Sequence, residues 1–176
     1  ILANEANFSN CEKRFILNRI VDPAEEEAAM KLLDDAGFEY IHLPFDPEIA
    51  AAQPWDCLGI PAEFAPYKKA FAQLGEERQD RILMRLYRHK NNYIMNNNGA
   101  RNAALADGHN KAKWILPWDG NCFMTPAGWS QLLQSVTAHP HYPYHIVPMS
   151  RTLENAKLLQ PHYQPEAKEE PQILFR

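Results

Sequence analysis

Apolar positions along the chain change period several times, and each change marks an element. Residues 14–20 (RFILNRI) form a short apolar run, read as a strand and closed by Asp22-Pro23. Beyond it Ala29, Leu32, Leu33 and Ala36 fall at i, i+3, i+4, i+7, the spacing of a helix with one buried stripe, and Gly37 stands where a C-terminal cap belongs. Residues 40–45 (YIHLPF) then read as a second strand. Strand, helix and strand in this order are most simply a parallel pair with a right-handed crossover.

Residues 46–66 carry Pro47, Pro54, Pro61 and Pro66 without a clear period, which predicts an irregular connection or lid. Ile82, Leu83 and Leu86 mark a helix ending near Lys90, and Tyr93-Ile94-Met95 reads as a short strand. A helix follows over residues 99–105, then a buried strand at Trp114-Ile115-Leu116. Thr125-Pro126 is a helix start, with an N-cap and a proline at the first helical position, and Trp129, Leu132, Leu133 and Val136 continue it at helical spacing. Residues 144–147 and 173–175 are the remaining strand candidates. The alternation predicts an α/β fold, an open, mostly parallel sheet with flanking helices, whose ligands bind at the carboxyl ends of the strands. Residues 18–22, 96–102 and 119–121 are then expected on one edge.

With 176 residues, 45% of them apolar, the chain is the size of one domain, 1–176, with a single core. It starts at Ile1 and stops at Phe175-Arg176 in an apparent strand, so it is read as a piece of a longer polypeptide, truncated at its C-terminus, with a further domain as a possible partner. Eighteen basic against 22 acidic residues argue against a broad electrostatic footprint for nucleic acid or anionic lipid. Cys11, Cys57 and Cys122 are odd in number and irregularly spaced, neither a disulfide framework nor a zinc site, which fits a reducing, cytoplasmic setting. No apolar run approaches the roughly 20 residues that cross a bilayer.

Two clusters carry candidate chemistry. Asn96-Asn97-Asn98-Gly99-Ala100-Arg101-Asn102 follows the predicted strand at Tyr93-Ile94-Met95 and opens a helix. A helix start presents unpaired N–H groups and partial positive charge to phosphate, Gly99 permits close approach, and Arg101 can fork onto an anion. The competing reading is an asparagine-rich cap with Arg101 in a structural ion pair. In the second cluster, a predicted strand runs out into Asp119-Gly120-Asn121, where two oxygen-bearing side chains share one side of an extended chain. Oxygen ligands suit Mg²⁺ or Mn²⁺, which bridge carboxylates to substrate phosphates. A plain Asp-Gly turn is the alternative.

The run NNNGARNAALADG, a short spacer and then KWILPWDGNCFMTPAGW resembles the central stretch of family-2-like glycosyltransferases of the GT-A fold. In that family a G-x-ARN-x-(A/G)-L helix precedes an apolar strand ending in a D-x-D metal motif. With the later EEPQ, the chain is also similar to GT-A-like domains of polysaccharide-processing proteins. The resemblance implies a nucleotide-diphosphate sugar as donor and a glycan or other hydroxyl acceptor, with Asp119 and Asn121 holding the Mn²⁺ or Mg²⁺ that bridges the diphosphate. Arg101 and Asn102, with Asn98 and Gly99 of the same cluster, would line the donor pocket, and Asn18, Arg19 and Asp22 would lie near the nucleoside. Asn121 departs from the family's usual aspartate and removes one negative charge. Glu169 and Glu170, ahead of Pro171-Gln172, loosely resemble the acidic acceptor-side motif and are the candidates for the base of an inverting transfer.

Three further features have plainer readings. His139, His141 and His145 alternate with prolines and aromatics; their i, i+2 part could ligate a metal in a regular strand, but they are assigned mainly to a surface loop, with His145, leading into a strand, as a candidate extra metal or phosphate contact. Trp118 and Trp129 are core residues before they are stacking platforms, and Cys122 is a small buried apolar residue. Two other functions compete with the metal-dependent glycosyltransferase: a catalytically inactive GT-A-like module that binds glycan or nucleotide beside another catalytic domain, and a nucleotidyltransferase. The latter ordinarily has a glycine-rich basic loop where this chain reads Asn18-Arg19-Ile20-Val21-Asp22-Pro23.

Overall fold

A computed structural model describes residues 4–160 and 162–176. The chain divides into two compact units, Phe15–Ala100 and a second one that joins Ile1–Arg14 to Arg101–Arg176.

In the first unit, β1 (Phe15–Asn18), α1 (Pro23–Asp35) and β2 (Tyr40–Leu43) form the anticipated strand, helix, strand motif. The strands run parallel, in register from Phe15 opposite Tyr40 to Asn18 opposite Leu43. Asp22 starts α1 by accepting the Ala24 N–H at 2.8 Å, with Pro23 next in line. Gly37 follows the helix at φ 72°, a left-handed conformation that costs glycine least. Of the expected stripe, Leu33, only 4% exposed, is the buried residue; Leu32 is 58% exposed and Ala36, at the C-cap, is exposed too, because the short parallel pair covers only part of that face.

The segment expected to be irregular contains a helix, α2 (Pro47–Ala52). Its start has a local cause, because Asp46 accepts the N–H groups of Glu48 and Ile49 at 2.8 and 2.9 Å just ahead of Pro47. Lys90 Nζ closes the other end by donating to the Ala50 and Ala51 carbonyls at 3.1 and 2.8 Å. Beyond it lie a short 3-10 turn at Ala62–Phe64, then α3 (Lys69–Ala72), α4 (Glu76–Leu86) and α5 (Arg88–Met95). The strand expected at Tyr93-Ile94-Met95 is therefore the last turn of a helix. Three apolar residues are too few to distinguish the two states. Tyr93 is fixed by tertiary contacts, its ring 6.1 Å from Phe45 and its hydroxyl 3.3 Å from the Asp46 carbonyl that accepts its proton.

The division between units falls within α6 (Asn97–Gly108). The second unit then adds α7 (Pro126–Ala138), β3 (Tyr144–Met149) and β4 (Glu169–Phe175). Thr125 caps α7 by accepting the Gly128 N–H at 3.1 Å. Leu132 of α7, Val147 of β3, Leu174 of β4 and Met124 make the buried core, against which Phe8, Trp114, Leu116, Trp118, Trp129 and Val136 pack. β3 and β4 are antiparallel, Tyr144 facing Phe175 and Ile146 facing Ile173. Between Val147 and Met149 the register shifts, so that Glu170 and Pro171 together oppose Pro148. Neither proline has an N–H to give to the ladder there.

The chain is thus mixed α/β, but the open, mostly parallel sheet of the sequence reading is replaced by two separate two-stranded sheets, one parallel and one antiparallel. Trp114-Ile115-Leu116, expected as a strand, supplies a single antiparallel bridge from Ile115 to Phe175. The chain leaves the ladder afterwards for the Asp119 turn, so no second pair of bonds forms. Among the described residues no helix is long and apolar enough to cross a membrane. Replacing Leu33 by Ala should cost about 2–4 kcal/mol, read as a lower urea midpoint with loss of protection of the β1 and β2 amides, because a small core has little material to refill the cavity; an unshifted midpoint would remove Leu33 from the core.

Candidate functional site

In the first unit the polar residues after β1 are committed to its own architecture. Asn18 Nδ2 donates to the Met95 carbonyl at 2.8 Å, and Asn18 Oδ1 accepts from Asn96 Nδ2 at 2.9 Å. The Arg19 guanidinium lies on the Tyr93 ring, 3.9 Å from its centroid, and also donates to the Tyr93 carbonyl. Both Arg19 and Asn96 hold left-handed backbones, φ 48° and 42°, which non-glycine residues adopt only where surrounding bonds enforce it. The Asp22 carboxylate is occupied by the cap of α1.

Gly99 does allow a close approach, but the group that approaches is Asn96. A Cβ on Gly99 would lie 2.7 Å from Asn96 Cγ and closer still to its Oδ1. The space over this helix start is therefore filled by the protein's own amide, and Asn98 beside it is exposed.

The second unit assembles a different set. Asp119 Oδ1 and Oδ2 both accept from Arg101 Nη2, at 3.1 and 3.2 Å, and Oδ2 also accepts from Gln172 Nε2 at 3.1 Å. A helix, a turn and a strand each contribute one side chain. The Arg101 and Asp119 side chains are 45% and 44% exposed, open to a ligand and screened by water. Asn102, next to Arg101 on α6, is exposed as well.

Asp119-Gly120-Asn121 is a tight turn and not an extended strand end, since Cys122 N–H donates to the Asp119 carbonyl at 2.9 Å. The argument that alternate residues share a side does not hold for Asp119 and Asn121, whose backbone reverses between them. Asn121 is exposed, its Oδ1 contacted by Cys122 Sγ at 3.9 Å. Gly120 has open space where a side chain would stand. Burial, then the neighbouring Asp119 charge, pushes the Cys122 thiol above its ordinary pKa, so it stays protonated.

Two contributors escaped the sequence reading. Gln172 belongs to the EEPQ stretch, and nothing local identifies its partner, 53 residues away. Glu5, its side chain 8% exposed, accepts the Met124 N–H at 2.5 Å and pairs with Lys13 at 2.9 Å, anchoring the start of the chain just beyond the Asp119 turn. Of the two base candidates, Glu169 is paired with Arg151 at 3.2 Å, whereas Glu170 stands exposed at the register shift, where irregular pairing re-aims side chains.

Trp118 and Trp129 are core residues, as expected, with indole N–H groups buried and without a partner among the described residues. His145 is 7% exposed beneath an edge-on Trp114 at 5.0 Å, with Nδ1 3.2 Å from Ser135 Oγ, while His139 and His141 are surface residues around Tyr142.

Oxygen donors on the Asp119 turn suit a hard divalent cation in type, one anionic and one neutral, with room on the exposed side for phosphate and water oxygens. Arg101 would have to release Asp119 first. Among the described residues no three His, Cys, Asp or Glu side chains gather as a metal cage. No family model, curated protein or solved structure matches the chain.

Because the Cys122 thiol is held protonated, iodoacetamide at about pH 8, near the ordinary thiol pKa, should alkylate it more slowly than the exposed Cys57. Asp119→Asn should speed the reaction by removing the adjacent charge; an unchanged rate in that variant would show that Asp119 does not act on the thiol.

Proposed function

We propose that the chain is a metal-dependent glycosyltransferase domain of GT-A type, whose Asp119 turn handles the diphosphate of a nucleotide-sugar donor. The observation that carries this reading is the convergence of Arg101, Asp119 and Gln172 from three elements. The sequence resemblance gives two of these residues their roles, Arg101 on the diphosphate and Asp119 with Asn121 on the cation. Gln172 fixes the rotamer of Asp119 by its hydrogen bond to Oδ2.

In the transfer, the acceptor hydroxyl oxygen forms a bond to the anomeric carbon while the bond from that carbon to the diphosphate oxygen breaks. The diphosphate leaves with the electron pair, and the acceptor proton passes to a carboxylate. Bound cation supplies charge stabilisation for the leaving diphosphate. Arg101 adds hydrogen bonds to its oxygens, and Glu170, free of an ion pair among the described residues, is the better base of the acidic pair.

A second reading, a binding module without turnover, is favoured by one observation. Arg101 already neutralises the one carboxylate of the turn, and Asn121 adds no charge to it.

Calorimetric titration with UDP, GDP and ADP, with and without Mn²⁺, tests the site. Asp119→Ala should abolish the Mn²⁺-dependent part of binding and leave the circular dichroism unchanged; retained affinity would overturn the assignment. Glu170→Gln should lower transfer by about 10²–10⁴-fold with nucleotide binding intact. Binding without hydrolysis or transfer in the unaltered protein, across donor sugars and acceptors, would instead select the module.

A further inference from the structure

β3 is an open edge of its sheet. Phe175 of β4 exchanges both of its backbone hydrogen bonds with Ile115 on the far side, so it faces Tyr144 as a non-hydrogen-bonded pair, and the N–H and C=O of Tyr144 turn away from β4. The alternation of an antiparallel ladder places those of Ile146, opposite Ile173, on the same edge. Neither residue has a backbone partner there among the described residues. Exposure on the outer face rises toward this edge, from 39% and 37% at Ile173 and Phe175 to 59% and 52% at Ile146 and Tyr144. On the inner face between the two lies His145, 7% exposed. Its Nδ1 meets Ser135 Oγ at 3.2 Å, while its Nε2 is buried without a partner among the described residues, a destabilising state for a polar atom.

We propose that a second copy of this chain completes the sheet, β3 pairing antiparallel with the partner's β3 about a two-fold axis at His145. The proposal is independent of the transferase reading. Its register follows from which backbone groups can pair. An axis at Ile146 sets Tyr144 against the partner's Pro148, which has no N–H to give. An axis at Tyr144 sets Ile146 against the partner's Tyr142, whose N–H is already donated to the His139 carbonyl at 3.4 Å. With the axis at His145, Tyr144 and the partner's Ile146 exchange N–H and C=O reciprocally, and symmetry repeats the pair. The two His145 residues then stand opposite each other on the inner face, about 4.5 Å apart at Cα. One Nε2–H donates to the bare Nε2 of the other ring, which gives both buried nitrogens a partner, and the Ser135 hydroxyl suits either tautomer because it can donate or accept. Tyr144 packs on the partner's Ile146 as an aromatic and β-branched cross-strand pair, covering the most exposed residues of the edge. Two marginal two-stranded sheets become one of four strands.

Sedimentation velocity over a concentration series tests the pairing on the unaltered protein, Ile146→Pro and Ile173→Lys, each checked for fold by circular dichroism. The unaltered protein should show a reversible dimer in the micromolar range; monomer throughout overturns the proposal. Ile146→Pro removes an N–H that the ladder to β4 does not use, and should weaken dimerisation about tenfold or more. Ile173→Lys, on the same outer face but away from the edge, should change it by less than about threefold. The reverse order of effects would mean that the copies pack face to face, and overturns edge pairing. The register has its own readout, in a background carrying Cys11→Ser, Cys57→Ser and Cys122→Ser. There His145→Cys should give a disulfide-linked dimer with oxidised glutathione, because the axis brings position 145 against itself, and Tyr144→Cys should not. Cross-linking at position 144 in preference to 145 overturns the two-fold at His145.

Discussion

Two backbone hydrogen bonds, exchanged between Ile115 and Phe175 at 2.8 Å in each direction, set the geometry on which the Asp119 site depends. Their antiparallel sense brings the residues after Ile115 alongside those before Phe175, so that the chain leaving at Asp119 passes the strand position of Gln172. The same crossing decides which side chains point inward. Trp114, Leu116 and Trp118, alternate along the chain, all pack on the Met124, Leu132, Val147 and Leu174 core. Pro117, of the opposite parity, is buried as well, so it is the turn closed by the Cys122 N–H on the Asp119 carbonyl that leaves the Asp119 side chain 44% exposed. Burial of large apolar groups, each worth about 1.5–3 kcal/mol, thus holds an exposed carboxylate in place without that carboxylate being buried.

Anchoring continues on the far side of the turn. Glu5 accepts the N–H of Met124, one residue before the cap of α7, and its charge is balanced by Lys13, whose ammonium also lies 4.6 Å above the Phe8 ring. Phe8 in turn stacks on Trp129 at 4.9 Å. The opening residues of the chain therefore form part of the packing that supports the 119–124 segment. A buried carboxylate accepting a backbone N–H needs such a counter-ion, since the same group left unpaired would be strongly destabilising.

Elements with a long apolar period were legible in the sequence: α1 from Ala29, Leu32, Leu33 and Ala36, α7 from Trp129, Leu132, Leu133 and Val136, and the caps at Asp22, Thr125 and Gly37. Two of the short apolar runs were not legible, although those at β1, β2, β3 and β4 were. Tyr93-Ile94-Met95 and Trp114-Ile115-Leu116 are equally apolar triplets, yet one finishes a helix and the other makes one bridge, because the partner that decides lies far along the chain. Sheet organisation failed for the same reason, since period does not say which strands pair. At the site, Arg101 and Asp119 were named from local sequence and do meet. The role of Gly99 was misassigned because a glycine announces close approach but not what approaches, and here it is the Asn96 side chain. Gln172 and Glu5 left no local signal, their partners lying 53 and 119 residues away.

Asn121 gives the site its electrostatic character. An aspartate there would leave the turn with net negative charge beside Arg101, and such a turn attracts free cations from solvent. With asparagine, Arg101 and Asp119 sum to zero, and Glu5 with Lys13 sums to zero again. Glu170, exposed and without an ion pair among the described residues two positions before Gln172, is the charge these pairs leave unbalanced, and the overall charge of -4 is too small to supply a strong field of its own.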